Sequence, residues 1–238
     1  MIPVSAPPRV AAHLRSAGDG PARLLHRGPD AVYADVAGRC VGVVGTRATA
    51  VPCALRSSLD RLPEVATATV SAGVLHLDGE PLVVGRIVDV SVRRLTTVAE
   101  VRGAPATLVL RCERSEPRRS LEAPEVAMLI GRGDGLTPYG DDVLCGWLAV
   151  HRAAGLATPE VDAAILERVA TTTLLSATLL DCAMHGEVIP EFAAWLAALG
   201  TADEQPRAEV LARVGHTSGR GLLEGATRAL EGMERVAA

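Results

Sequence analysis

The feature that most restricts the fold of this chain is a change of hydrophobic period part-way along it. Over residues 31–95 the apolar residues come in short Val- and Thr-rich runs, at 31–37, 40–45, 48–55, 66–70, 73–77 and 81–92. The dipeptides Ala37-Gly38, Ala72-Gly73 and Asp78-Gly79 punctuate them. β-Branched runs separated by turn residues at this spacing read as strands of a small barrel or sandwich. Upstream, residues 10–16 fit a short helix, followed by a Gly/Pro-rich connection through Gly18, Gly20, Pro21, Gly28 and Pro29.

From Pro124 onward the apolar spacing becomes helical. A helix over 141–154 places Leu144, Trp147, Leu148 and His151 on one face, with Gly155 as its stop. His151 on that face reads as a core histidine. Another helix opens at Pro159-Glu160 and continues to Met184 with a bend at Thr171-Thr172-Thr173. Further helices are expected over 190–199, 206–214 and from Ser218 to the end. The stretch between the halves is undecided: 107–110 fits strand or helix, and 111–122 is a charged joint. The expectation is an α+β protein with a β-rich N-terminal domain (1–110) and a helical C-terminal domain (124–238).

Composition narrows the function classes. A formal charge of −4 and 2% aromatic residues argue against nucleic acid as a partner. The chain contains no Lys and no Asn, which excludes a Schiff-base lysine, a P-loop lysine and a Cys-His-Asn triad. The five cysteines are scattered without a C-x-x-C, which fits reduced thiols better than a zinc site. The first residues lack a basic-then-apolar leader, and no apolar run reaches membrane-spanning length. A cytoplasmic protein without membrane partners is the expectation.

Three places can carry chemistry. The first is Leu129-Ile-Gly-Arg-Gly-Asp-Gly-Leu-Thr-Pro-Tyr-Gly-Asp-Asp-Val143. Alternating glycines (Gly131, Gly133, Gly135) permit positive φ and close approach to a ligand, and Asp141 and Asp142 stand where a helix begins. The stretch is either an anion or cation site or a tight turn with an acidic cap. The second is Thr171-Thr172-Thr173 with Ser176, where Thr172 and Ser176 are four apart and would share a helix face. These hydroxyls either meet a ligand or bond back to their own helix. The third, Gly215-His216-Thr217-Ser218-Gly219-Arg220-Gly221, places hydroxyls, His and Arg before a helix, as either a carboxylate or phosphate cradle or a simple cap. No G-x-S-x-G nucleophile elbow occurs.

Taken in series, Gly131-x-Gly-x-Gly-Leu-Thr-Pro-x-Gly-Asp-Asp142, Thr172-x-x-x-Ser176-x-x-Leu-Leu180 with Gly186-Glu187, and Gly215-His-Thr-Ser-Gly219 resemble the signatures of one uncharacterised-domain family. That family includes the AllH-type subunit of bacterial oxamate carbamoyltransferase. Tyr139 stands where Ser is usual, Asp134 where Pro is frequent, and Gly221 where many members carry an acid. The resemblance implies a subunit of a carbamoyltransferase of nitrogen catabolism, moving a carbamoyl group between oxalurate and phosphate to give oxamate and carbamoyl phosphate. Partner subunits or a homo-oligomer follow from it.

On that reading Gly133, Gly135, Thr137, Tyr139, Gly140, Thr172, Ser176, Thr217, Ser218, Gly219 and Arg220 bind a small acidic substrate or phosphate. Asp141, Asp142 and His216 are the catalytic candidates. The two acids would hold either the carbamoyl –NH₂ or Mg²⁺. The alternative is a non-catalytic subunit that binds a small anion or serves assembly.

Overall fold

The computed structural model describes residues 1–95 and 121–236. The stretch 107–110, most of the charged joint and Cys112 lie outside the described residues. The chain divides into two compact units, Met1–Val90 and Ser91–Ala238.

The first unit is a closed eight-stranded barrel. Its strands are β1 (Ile2–Ala6), β2 (Gly20–Arg27), β3 (Ala31–Val36), β4 (Arg39–Val44), β5 (Ala54–Ser57), β6 (Ala68–Ser71), β7 (Val74–Leu77) and β8 (Glu80–Ile87). They close in the order β1-β5-β4-β3-β2-β6-β7-β8, with β1 pairing back onto β8 in parallel. The Val-rich runs therefore form a barrel, one of the two expected architectures. All three punctuating dipeptides have positive φ at both residues, with Ala37 at 49° and Gly38 at 79°, Ala72 at 50° and Gly73 at 74°, and Asp78 at 48° and Gly79 at 81°. This is the tight hairpin geometry that matches the right-handed twist of the flanking strands. Asp78 holds its turn by accepting from the N–H groups of Ala66 and Thr67, which keeps its carboxyl below the ordinary range.

Three strands differ from the sequence reading: of the 48–55 run only Ala54 and Leu55 are strand, in β5, which continues to Ser57. β1 precedes the helix α1 (Pro8–Ser16), and β2 begins inside the supposed Gly/Pro-rich connection. Pro21 is accommodated at the start of β2, opposite Thr69 of β6, where a strand tolerates proline. Val10, Ala11 and Leu14 of α1 join the barrel core with Val32, Val41, Leu55, Leu75 and Leu82.

The second unit contains α2 (Ala123–Leu129), α3 (Tyr139–Ala153), α4 (Pro159–Arg168), α5 (Leu174–Met184), α6 (Pro190–Ala197), α7 (Glu204–Ala212) and α8 (Ser218–Val236). Gly155, Gly186 and Gly200 take φ of 73°, 72° and 73°, each just past a helix as the C-terminal stop requires. α3 was expected to be one-faced; instead every residue from Gly140 to Val150 is buried, so it is the central helix of the unit. His151 is the core histidine expected: its Nδ1 lies 2.9 Å from the Trp147 carbonyl, and its ring meets the Trp147 ring at a centroid distance of 3.7 Å. Burial holds its pKa below the ordinary value. Arg152 ties the end of α3 to its neighbours, donating to the Met184 carbonyl at 2.7 Å and to both oxygens of Asp162.

The closest packing is between α3 and α8, and glycine makes it possible. A β-carbon on Gly225 would lie 1.8 Å from the Val143 carbonyl oxygen, and one on Gly146 2.0 Å from that of Leu222. Backbone meets backbone here, so the first turns of the two helices are brought together.

Candidate functional site

The glycine stretch leaves α2 and enters α3. Gly131, Gly133 and Gly135 have φ of 69°, 122° and 88°, as their alternation predicted. Gly131 is also pressed against the α4–α5 junction, since a β-carbon there would lie 2.8 Å from the Thr171 carbonyl oxygen. The loop is pinned at its ends: Arg132 N–H donates to Leu129 and Gly140 N–H to the Arg132 carbonyl at 2.8 Å. Among the described residues, nothing accepts from the N–H groups of Gly133, Asp134 or Gly135, and all three residues are exposed.

The two acids have different surroundings. Asp141 is 1% exposed, and both its oxygens accept. The Gly131 N–H donates to Oδ1 at 2.8 Å, and the Thr172 hydroxyl donates to Oδ2. Asp141 thus holds the glycine loop against the Thr171-Thr172-Thr173 corner. Thr172 itself corrects the expected shared helix face with Ser176. α5 begins only at Leu174, Thr172 is extended (φ −113°, ψ −179°), and its hydroxyl turns to Asp141 instead. The Thr chain interrupts the helix because Thr173 caps α5, accepting from the Ser176 N–H at 3.0 Å while donating to the Leu136 carbonyl at 2.6 Å. Ser176 is buried.

Asp142 points to α8. Its carboxyl hydrogen-bonds Ser218, and the Ser218 hydroxyl lies 2.9 Å from that of Thr137, 81 residues away in sequence. The Thr-Pro-Tyr corner and the His-Thr-Ser corner therefore meet. Asp142 is 5% exposed, and its Oδ2 has no hydrogen-bond partner among the described residues. Burial, with a smaller contribution from the neighbouring Asp141 charge, pushes its pKa up to about 7 against the pull of the Ser218 bond. Each Asp141 oxygen accepts from a protein donor, so the free acceptor of the pair is Asp142 Oδ2.

Of the remaining candidates, Gly219 is buried, with its N–H already donated to the Val214 carbonyl at 3.0 Å. Its value is close packing: a β-carbon there would lie 1.8 Å from the Leu211 carbonyl oxygen. Gly140 serves α3 against Leu129 in the same way. Thr217 is half-buried, while His216 and Arg220 are exposed beside the Ser218 corner. Tyr139 turns toward α8, where its hydroxyl donates to Glu224. Glu224 also pairs with Arg228, which reaches Glu125 of α2 at 3.0 Å. That network does not stand out in the sequence, where its one signal is the i,i+4 spacing of Glu224 and Arg228. Glu187 of the second motif is buried, and its backbone bridges to Ser91.

A comparison with known families spans all three motifs. Residues 129–230 match the family described as oxamate carbamoyltransferase subunit AllH. The match begins at Leu129, where the glycine stretch starts, and ends within α8. It covers Asp141, Asp142, Thr172 and Ser218, the residues that join the three segments. The AllH resemblance read from the motifs is thereby borne out over residues 129–230. No curated protein and no solved structure matches the chain. Among the described residues no helix is long and apolar enough to cross a membrane. Gly221 has a physical reason: a β-carbon on it would lie 2.7 Å from that of Asp142.

Proposed function

We propose that the C-terminal unit is the ligand-binding part of a carbamoyltransferase-type subunit, working with partner subunits on a small acidic substrate of the oxalurate or oxamate kind. The observation that carries this reading is the 2.9 Å contact between Thr137 and Ser218. It joins two glycine-bearing loops of the AllH match and sets the buried Asp142 beside them. Exposed N–H groups at Gly133 and Gly135 suit carboxylate or phosphate oxygens. Arg220 and His216 stand at the exposed rim, where a guanidinium pairs with such oxygens in a bidentate manner. The polar groups thus run from an anion-binding rim to a buried acid.

The test is activity. Purified protein, alone and with its candidate partner subunits, is incubated with oxalurate and phosphate and assayed for carbamoyl phosphate. Carbamoyl phosphate is expected when the partners are present. Its absence in every arrangement removes the carbamoyltransferase reading. A non-catalytic anion-binding subunit is the second reading, favoured by the exposure of His216; it expects ligand binding by this chain with all turnover residing in the partners.

A further inference from the structure

A buried carboxylate oxygen without a donor costs free energy, because it has surrendered water for nothing. Asp142 Oδ2 is such an atom, and the adjacent Asp141 shows that the local fold can satisfy an acid completely. If Asp142 served only to cap α8, the Ser218 bond would discharge that task and an Asn or Ser would do as well. The groups facing it offer no further strong donor, a thiol S–H being a weak one. On α3 its neighbours are Asp141 and the thiol of Cys145, and on α8 they are the Ser218 hydroxyl and the bare α-carbon of Gly221. No Arg or His forms an ion pair with it among the described residues. The oxygen is thus open to a hydrogen-bond donor from outside the chain.

We propose that Asp142 is a specificity-determining residue: it selects ligands that end in an N–H-bearing group, a primary amide or ureido group, over ligands of the same shape that end in a carboxylate. The inference rests on the preceding reading of this junction as a small-acid site and names which end of the ligand faces inward. An amide nitrogen supplies the donor that Oδ2 lacks. A carboxylate in the same place sets acceptor against acceptor in a desolvated setting, which is the strongest form of hydrogen-bond discrimination. Ser218 bonds both Asp142 and Thr137, so a ligand reaching the hydroxyl pair is one bond away from the unfilled oxygen. The anionic end of the same ligand would face the N–H groups of Gly133 and Gly135.

Oxamate and oxalate are the probes, since they differ only in an amide replacing one carboxylate. Binding of each to the full chain is measured by titration calorimetry at pH 8.5, above the folded pKa of Asp142 so that the carboxyl is an acceptor only, for the wild type and for Asp142→Asn. Wild type is expected to bind oxamate at least about ten-fold more tightly than oxalate, a difference of about 1.4 kcal/mol. In Asp142→Asn that preference is expected to fall to within about three-fold. Asp142→Ser, also uncharged and smaller, gives the same comparison if the amide is not accommodated.

A preference retained in both variants, or absent in the wild type while both ligands bind, overturns the role of Asp142 and leaves the anion site standing. Failure of the wild type to bind either ligand at millimolar concentration overturns both readings. Thermal stabilisation by MgCl₂ alone that disappears in Asp142→Asn overturns the amide reading in favour of a cation.

Discussion

Asp142→Asn is expected to melt higher than the wild type at pH 8 and to match it closely at pH 4. In the folded protein burial raises the Asp142 pKa from 3.8 to about 7. Between these two values the folded chain keeps a proton that the unfolded chain has lost, so stability falls as pH rises through that window. The contribution is fully present below the unfolded value and is gone above the folded one. The displacement sets a ceiling of about 4 kcal/mol at pH 8. For a chain of this length each kcal/mol shifts the melting temperature by about 2–4 °C, so a rise of several degrees is expected. Asn keeps a hydrogen-bonding group for Ser218 and has no charge to bury. Melting curves from pH 4 to pH 8 check this; an Asn variant less stable at both ends would show that the carboxylate holds the fold together. A residue that lowers stability at the working pH and is nevertheless present is the usual mark of a functional group.

Gly225→Ala is expected to lose the folded C-terminal unit, or to cost more than about 4 kcal/mol, in the class of exceptional single substitutions. The added β-carbon would stand 1.8 Å from the Val143 carbonyl oxygen. That atom is backbone of the fully buried α3, so it cannot turn aside as a side chain would. Separating α3 from α8 would also part Asp142 from Ser218, and ligand binding should go with it. Gly232→Ala on the same helix is the control. Nothing lies within 4 Å of its added β-carbon, and alanine gains up to about 1 kcal/mol of helix propensity. Urea unfolding midpoints of the two variants should therefore move in opposite directions. A Gly225→Ala variant within about 1 kcal/mol of the wild type would contradict the backbone-to-backbone contact.

What could be read in the sequence followed from local chemistry. The three hairpin dipeptides, the C-terminal stops at Gly155, Gly186 and Gly200, and the positive φ of Gly131, Gly133 and Gly135 depend on residues within a few positions of one another. β2 escaped notice because Gly20 and Pro21 argue locally for a connection, while pairing with β3 and β6 on either side outweighs that preference. The central position of α3 was hidden by Asp141 and Asp142. Two acids at a helix start read as a cap or a site, yet one is buried and satisfied by a loop N–H and a Thr hydroxyl, and the other bonds Ser218 far along the chain with one oxygen left over. The divergence of these neighbouring carboxylates follows from the helical rotation between successive side chains, combined with what lies opposite each. Spacing within one motif cannot supply the second part.

The most direct test of a small-acid site at this junction is a titration followed through the glycines themselves. Protein labelled with ¹⁵N-glycine is titrated with oxamate, and the amide resonances are recorded. The account predicts shifts at Gly133 and Gly135, with smaller ones at Gly215, Gly219 and Gly221, and none at the barrel turns Gly38, Gly73 and Gly79. Oxamate that moves only the barrel glycines, or moves none of the 23 glycines, would contradict it.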